Sequence, residues 1–314
     1  MKIFVPPIKC QGIKTKLVPW ILENAVLPDG GLWIEPFMGS GVVGFNARPP
    51  RAIFSDINPH IISFYHALKT GEITPEMTRE FLESEGQKLK EKGEDYYYEV
   101  RERFNNAKNP LDFLFLSRSG FNGVVRFNSK GFFNVPFCRK PERFSRAYVT
   151  KIVNQVRYVY QTIQCSDWNF ECRDFADLIS QAREQDFIYC DPPYFGRHVD
   201  YFNSWSAEDE YNLFLSLKNT KAKFILSTWH SNKYRRNPCI DIYWEQFNIL
   251  TREHFYHIGA KEENRNPMVE ALVTNYTPDI EAPNLVDRLP PAIQLERSNK
   301  RKVKVGTQLS MLWS

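Results

Sequence analysis

Short apolar runs recur along the chain and end at turn signals or at acidic residues. They occupy residues 30–34, 52–56, 186–190, 223–227 and 270–276. Runs of this length, rich in branched and aromatic side chains, are typical of buried strands. The pattern therefore predicts strands at these five places.

Polar segments with apolar residues at helical spacing separate these runs. One helix is predicted to begin near Asn58 and Pro59, because Asn caps a helix well and Pro suits its first turn. Residues 72–109, rich in Glu, Lys and Arg, predict further helices. Strands that alternate with helices imply an α/β fold with a doubly wound, mostly parallel sheet covered on both faces.

The helical middle of the chain interrupts this alternation and predicts an inserted domain. We expect the sheet domain at residues 1–65 and 151–278, and a largely helical insert at residues 66–150. Within the insert, the turn signals Asn122-Gly123 and Lys130-Gly131 predict a hairpin or loop. Prolines and a basic cluster after residue 278 predict a linker and a basic C-terminal extension at residues 279–314.

Composition narrows the class of protein. No apolar run reaches membrane-spanning length and no signal segment precedes the first strand, so we expect a cytoplasmic protein without membrane contact. The six cysteines contain no CxxC pair, which predicts reduced, mostly buried thiols. His254 and His257 lack a Cys or acidic partner at metal spacing, so no metal site is expected.

Charge is concentrated in one block. Residues 101–151 carry eleven Lys and Arg against three acids, a net of +8, whereas the whole chain has a net charge of +4. Phenylalanines lie among these basic residues, including those at positions 104, 121, 127, 132, 133, 137 and 144. A solvated charged face is the ordinary interpretation, but the mixture of basic and aromatic residues favours a contact with nucleic acid.

A glycine-rich turn follows the first predicted strand. Gly39, Gly41 and Gly44 form GxGxxG, and Asp56 ends the next strand. In a doubly wound sheet this pattern places a ribose-bearing ligand at the first turn, either a dinucleotide or S-adenosylmethionine. Glu35, just before the glycines, favours S-adenosylmethionine, because a carboxylate would hold its amino or sulfonium cation and would repel the pyrophosphate of a dinucleotide.

The most specific motif is Asp191-Pro192-Pro193-Tyr194, which follows a predicted buried strand. An exocyclic amine on a base is a poor nucleophile, because its lone pair is delocalised into the ring. The Asp191 carboxylate and the Pro192 carbonyl can each accept one of its N–H bonds. The two prolines stiffen the loop, and Tyr194 offers a flat face for the base. The base would have to leave the helix to reach this pocket.

These motifs together resemble the DNA adenine methyltransferases of the class that includes bacterial DNA adenine methylase. The resemblance runs from about residue 6 to residue 276, and its order of motifs is similar to the α arrangement of that family. The blocks that carry it are residues 9–17, 35–41 with 55–59, 121–137, and 191–194. It implies the methyltransferase fold, S-adenosylmethionine as methyl donor, and transfer to the N6 amino group of an adenine in double-stranded DNA.

The resemblance also implies roles for individual residues. The cofactor-binding set is Cys10, Lys14, Glu35, Phe37, Gly39, Gly41, Asp56, Asp174, Phe175 and Asp191, and the catalytic set is Asp191, Pro192 and Tyr194. Two positions depart from the family pattern: Cys10 replaces a usual Trp, and Ile13 replaces a usual Gly. Phe121, Asn122 and Arg126, with Arg118 as a weaker candidate, are expected to contact DNA. Phe121 would enter between base pairs, with ordinary core packing as its alternative.

Other functions remain open at this stage. A methyltransferase for cytosine N4, an RNA adenine or an amide would share the fold. An NAD-dependent oxidoreductase would account for GxGxxG but not for Asp191-Pro192-Pro193-Tyr194, and a non-catalytic DNA-binding protein would not need Asp191. We expect a monomer. A role in restriction–modification is compatible with the sequence, beside an endonuclease that acts on the same DNA site without contacting this chain.

Overall fold

A seven-stranded sheet forms the centre of the computed structural model, which describes residues 2–10, 12–195, 205–255 and 267–278. The strands are β1 (Trp33–Glu35), β2 (Arg51–Ser55), β3 (Asp167–Glu171), β4 (Phe187–Cys190), β5 (Lys223–Asn232), β6 (Asn248–Phe255) and β7 (Pro267–Thr274). Their order across the sheet is β3-β2-β1-β4-β5-β7-β6. The first five strands in this order are parallel to one another, and β7 is antiparallel to both β5 and β6. The predicted mostly parallel sheet is confirmed.

Helices connect the strands. They are α1 (Val18–Asn24), α2 (Gly44–Ala47), α3 (Pro59–Thr70), α4 (Pro75–Lys92), α5 (Glu94–Ala107), α6 (Pro110–Ser119), α7 (Arg146–Gln164), α8 (Phe175–Ser180) and α9 (Ala207–Asn219). The predicted start of α3 is confirmed, because the Asn58 side chain accepts a hydrogen bond from the backbone of His60. Short 3₁₀ turns lie at Phe121–Gly123 and Pro141–Phe144, and a π-helical turn lies at Ile240–Trp244.

The sequence analysis did not predict strands β3 and β6. In β3 only Trp168 and Phe170 are buried, and polar residues alternate with them. The sequence of β6 mixes Ile249 and Leu250 with charged residues, and the strand lies at the edge of the sheet. Strands with one face covered have a weaker apolar signal than central strands.

Helices α3 to α7 all lie between β2 and β3. Helix α7 packs against α3 and α4, and α6 packs against α3 and α5. Two of the predicted domain boundaries fall inside helices, since α3 spans residue 65 and α7 spans residue 150. The division into a sheet domain and an insert remains a prediction.

The free cysteines differ from the expectation of mostly buried thiols. Cys190 and Cys239 are buried, whereas Cys165 and Cys172 are exposed and two others are intermediate. The basic extension at residues 279–314 and His257 lie outside the described residues. Among the helices that the structure describes, none is long and apolar enough to cross a membrane. In the same residues no group of His, Cys, Asp and Glu has the arrangement of a metal site.

Candidate active site

The carboxyl ends of the parallel strands bring the sequence motifs together at one edge of the sheet. β1 ends at Glu35, β2 leads into Asp56, and β4 leads into Asp191. Because β1 lies between β2 and β4, the three acidic residues follow neighbouring strands. In open α/β sheets, this edge is where ligands bind.

The glycine turn shapes the floor of this edge. Gly39 has φ +49°, and a Cβ added there would meet no atom within 4 Å, so its backbone borders open space. A Cβ on Gly41 would lie 2.8 Å from side-chain atoms of Met38 and Phe45, so the packing inside the turn requires a glycine at this position. A Cβ on Gly44 would lie 2.6 Å from Glu35 Oε2. The third glycine therefore lets the helix start pack directly on the Glu35 carboxyl group.

Glu35 is a buried carboxyl group on the cavity wall. It is 2% exposed, and its Oε2 accepts a hydrogen bond of 3.2 Å from Trp33 Nε1. Burial raises its pKa to about 8, and the negative charge of Asp191 adds to this rise, while hydrogen bonds from Trp33 and Gly44 oppose it. A cation next to this group would favour its ionised form.

Asp56 links the glycine turn to the start of α3. Its Oδ2 accepts a hydrogen bond of 2.7 Å from the Gly39 backbone, and its Oδ1 accepts one of 2.9 Å from Asn58. Burial raises its pKa, and these two backbone hydrogen bonds oppose the rise. The carboxylate is thus held in one orientation, beside the open space over Gly39.

An aromatic wall closes one side of the cavity. The rings of Phe37 and Phe175 stack with centroids 5.3 Å apart, and Trp205 packs against both at 5.6 and 5.7 Å. Asp174 caps α8 by accepting a hydrogen bond of 2.8 Å from Ala176. Trp205 was missed by the sequence analysis, because nothing in its local sequence distinguishes it from a core tryptophan.

Lys14 lies against the loop at residues 191–194, the reactive loop, as well as against the cofactor side of the cavity. Its Nζ is 2.7 Å from Asp191 Oδ1 and 4.7 Å from the centre of the Tyr194 ring. Lys14 is 5% exposed and the Asp191 side chain 20% exposed. Burial raises the pKa of Asp191, and the ammonium group of Lys14 opposes this rise. The ion pair therefore favours a carboxylate at position 191.

The rest of the loop is more enclosed than the motif suggested. Tyr194 is 8% exposed, packs with Trp229 and Met268, and donates a hydrogen bond of 2.6 Å to Glu270 Oε2. Glu270 is fully buried. Its role at the site was missed, because a lone Glu in an apolar strand gives no motif. Tyr194 therefore offers little open ring surface for stacking in this conformation.

One cavity collects most of the predicted cofactor set. Nine of its ten members line the cavity, namely Cys10, Lys14, Glu35, Phe37, Gly39, Asp56, Asp174, Phe175 and Asp191. Gly41 does not line it. In the loop after β4, Pro193 lines the cavity, whereas Pro192 and Tyr194 do not.

The segment at residues 121–137 doubles back on itself without forming a regular hairpin. Its antiparallel pairing consists of the isolated bridges Gly120↔Phe137 and Phe127↔Phe133. Phe121 is 52% exposed, which argues against core packing as its role. Asn122 is also exposed and has φ +53°. Arg126 Nε donates to Asn134 Oδ1 at 2.9 Å.

This segment also borders the cavity, because Val125 is part of the cavity lining. A ligand that reached the segment could therefore continue to the space over Asp191. The placement of Phe121, Asn122 and Arg126 is compatible with their predicted contact with DNA, which the structure does not test.

Arg118 occupies a different environment. It is 4% exposed, and its Nε donates to the Pro7 carbonyl at 2.6 Å while its Nη2 donates to Gln155 Oε1 at 2.6 Å. These contacts tie α6 to the N-terminal segment and to α7. A side chain this enclosed does not reach a DNA groove, so the structure does not support the expected contact and we leave Arg118 out of the DNA-binding set.

The fold and the site define an α/β methyltransferase. The seven-stranded sheet with one antiparallel strand has the arrangement expected of that class. The helix after the glycine turn has four residues, so the turn opens into a short helix rather than the long one that follows a dinucleotide fingerprint.

Comparison with known proteins identifies the family. Residues 11–258 match the family model for D12 class N6 adenine-specific DNA methyltransferases. The chain belongs to this family. The match covers most of the chain and includes the glycine turn, the helices between β2 and β3, and the reactive loop.

Curated relatives agree with this assignment. The chain is 28% identical to the Type II methyltransferase M.FokI of Planomicrobium okeanokoites over 86% of this chain and 43% of the relative. It is 34% identical to the DNA adenine methylases of Salmonella typhi and Escherichia coli (strain K12), over 60% of this chain and 64% of each relative. The chain thus matches less than two thirds of the length of these relatives.

A solved structure is also similar. The rRNA methyltransferase aviRa from Streptomyces viridochromogenes covers 78% of this chain at 14% identity, with a TM-score of 0.32. A similarity of this size supports no argument about the substrate.

Proposed function

We propose that this chain transfers a methyl group from S-adenosylmethionine to the N6 amino group of an adenine in double-stranded DNA. The observation that carries the proposal is the single cavity in which Asp191 lies together with Glu35, Gly39 and Asp56. Membership of the D12 class supports the choice of adenine and of DNA.

The residues of the cavity fit S-adenosylmethionine. Glu35 provides a carboxyl group for a cation, and the held carboxylate of Asp56 suits ribose hydroxyls. The aromatic wall of Phe37, Phe175 and Trp205 suits a flat purine ring. When bound, S-adenosylmethionine supplies the methyl group of the reaction.

Asp191 is proposed to act on the adenine. Its carboxylate accepts a hydrogen bond from the N6 amino group, which turns the nitrogen lone pair out of the ring plane and toward the methyl group. Lys14, 2.7 Å from Oδ1, keeps the carboxylate ionised in a buried place and leaves Oδ2 for the base. The methylated nitrogen then releases one proton, and the same carboxylate is proposed to accept it.

The adenine must leave the double helix to reach Asp191. Unstacking and unpairing a base costs a few kcal/mol, which contacts in the pocket and on the DNA must offset. Phe121 is exposed on a segment that borders the cavity, and it is proposed to fill the space that the base leaves.

The experiment is the transfer of a labelled methyl group to duplex DNA, followed by hydrolysis to nucleosides. We expect the label in N6-methyladenine. Label in N4-methylcytosine would keep the site but correct the base. Cofactor binding without any transfer to DNA would contradict the proposed substrate.

A further inference from the structure

The turn after β5 projects past the reactive edge of the sheet. Strand β4 pairs with β5 up to Cys190 and Leu226, and Asp191 follows directly on β4. Strand β5 continues to Asn232, six residues beyond Leu226. At about 3.3 Å per residue, this extension spans roughly 20 Å. The turn therefore extends beyond the same edge of the sheet at which Asp191 lies.

The turn is basic and carries an exposed aromatic ring. Residues 233–236 read Lys-Tyr-Arg-Arg, and all four are exposed. Tyr234 is 73% exposed. Arg236 is neutralised by Asp241 at 2.7 Å, and no acidic residue lies within the turn itself. Lys233 gives the tip a positive charge.

Hydrogen bonds fix the shape of the turn. The Asn232 side chain accepts from the backbones of Tyr234 and Arg235 at 2.9 and 3.0 Å. Asn237 is fully buried, and its side chain donates to the Trp229 carbonyl at 2.9 Å. The charged side chains thus extend from a defined backbone, which lowers the entropy cost of using them in binding.

Contacts also connect the turn to the reactive loop. Arg235 lies over the Trp229 ring at 5.2 Å from its centre, and Trp229 Nε1 donates to the Phe195 carbonyl at 3.3 Å. Trp229 packs with Tyr194 in one buried cluster. The position of the basic tip is therefore coupled to that of the loop that carries Asp191.

The turn and the exposed Phe121 leave the sheet on different sides of the site. The chain containing Phe121 connects β2 to β3, whereas the turn leaves β5, and β1 and β4 lie between them in the sheet order. A double helix that presents a base to Asp191 extends beyond the base in both directions. It needs support on the β5 side, which the predicted DNA-contact residues do not supply.

We propose that the turn at residues 232–236 binds the phosphate backbone of DNA beside the target base, with Lys233 as the phosphate-contacting cation. The inference rests on the proposed function, because it takes the partner to be DNA. Contacts to phosphates hold the duplex in register without reading its sequence.

The test measures the dissociation constant for duplex DNA against salt concentration for wild type, Lys233→Ala and Lys233→Glu. Each lost phosphate contact lowers the slope of log K against log salt by about 0.9. We expect Lys233→Ala to lower the slope by about one and to raise the dissociation constant several-fold at low salt, on DNA with or without a target site. Lys233→Glu has the larger effect.

Lys221→Ala is the matched control, because Lys221 is exposed just before the opposite end of the same strand. It should leave DNA binding unchanged, and both Lys233 variants should bind S-adenosylmethionine as wild type does. Equal salt slopes for wild type and Lys233→Glu would overturn the inference. Failure of wild type itself to bind or methylate DNA would instead contradict the proposed function.

Discussion

The surroundings of each carboxyl group at this site determine its pKa and its hydrogen-bond partners. Glu35 and Asp56 both have pKa values raised by burial, but Glu35 packs against Gly44 while Asp56 is held by backbone N–H groups. The motif predicted their positions at strand ends. It did not predict the Tyr194–Glu270 hydrogen bond, because Glu270 is 76 residues away in sequence.

Glu35 makes the binding of a cationic ligand depend on pH. Its pKa of about 8 in the free protein means that the carboxyl group is protonated below that pH. Binding of S-adenosylmethionine favours the carboxylate, so a proton is released on binding. The affinity should therefore increase as the pH rises toward 8, by up to about tenfold per pH unit. Calorimetric titration across this interval measures the effect.

The variant Glu35→Gln should bind S-adenosylmethionine more weakly and with a flatter pH dependence. Asp177→Asn, a change to an exposed acid on α8, is the control and should behave as wild type. An affinity of wild type that is the same across the interval would contradict the role given to Glu35.

The hydroxyl group of Tyr194 should contribute to the stability of the fold. Tyr194→Phe removes a buried hydrogen bond to Glu270, and we expect a loss of about 1–3 kcal/mol in the free energy of unfolding. Tyr98→Phe removes a matched hydrogen bond to Glu94 on the surface and should cost little. Urea unfolding compares the two, and equal losses would show that the buried contact has no special weight.

Among the elements, the central strands were predictable and the edge of the sheet was not. The buried runs that became β1, β4 and β5 have an unbroken apolar signal, whereas β3 and β6 pair on one side only. Helix α6 shows the converse difficulty. Its residues from Asp112 to Ser119 are all buried, polar ones included, and nothing in the local sequence shows that Arg118 in the last turn is buried with them.

We expect the segment at residues 121–137 to contact DNA. Phe121→Ala should raise the dissociation constant for DNA or lower turnover, because the exposed ring no longer fills the space of the extruded base. Titration with DNA and with S-adenosylmethionine separates the possible effects. Loss of S-adenosylmethionine affinity with unchanged DNA binding would mean that Phe121 supports the cavity rather than the DNA.

At the scale of the whole molecule, the parallel sheet explains why motifs spread over 180 residues form one site. Glu35, Asp56 and Asp191 reach the same cavity because β1, β2 and β4 end at one edge, whereas Cys10 and Lys14 come from the segment before β1. That convergence follows from alternating strands and helices and could be predicted. The placement of Trp205 on the aromatic wall, and of the turn after β5, depends on tertiary packing that has no local sequence signal.

We propose that Asp191 performs the chemistry in a cavity that holds both ligands. This role is tested most directly by single-turnover methyl transfer to duplex DNA with Asp191→Asn, against Asp177→Asn as control. We predict a rate of transfer lower by about 100-fold or more, with both ligands still bound, because the amide cannot replace the ionised acceptor in the transition state. A rate within about twofold of wild type, with the label in N6-methyladenine, would show that Asp191 is not the catalytic acceptor.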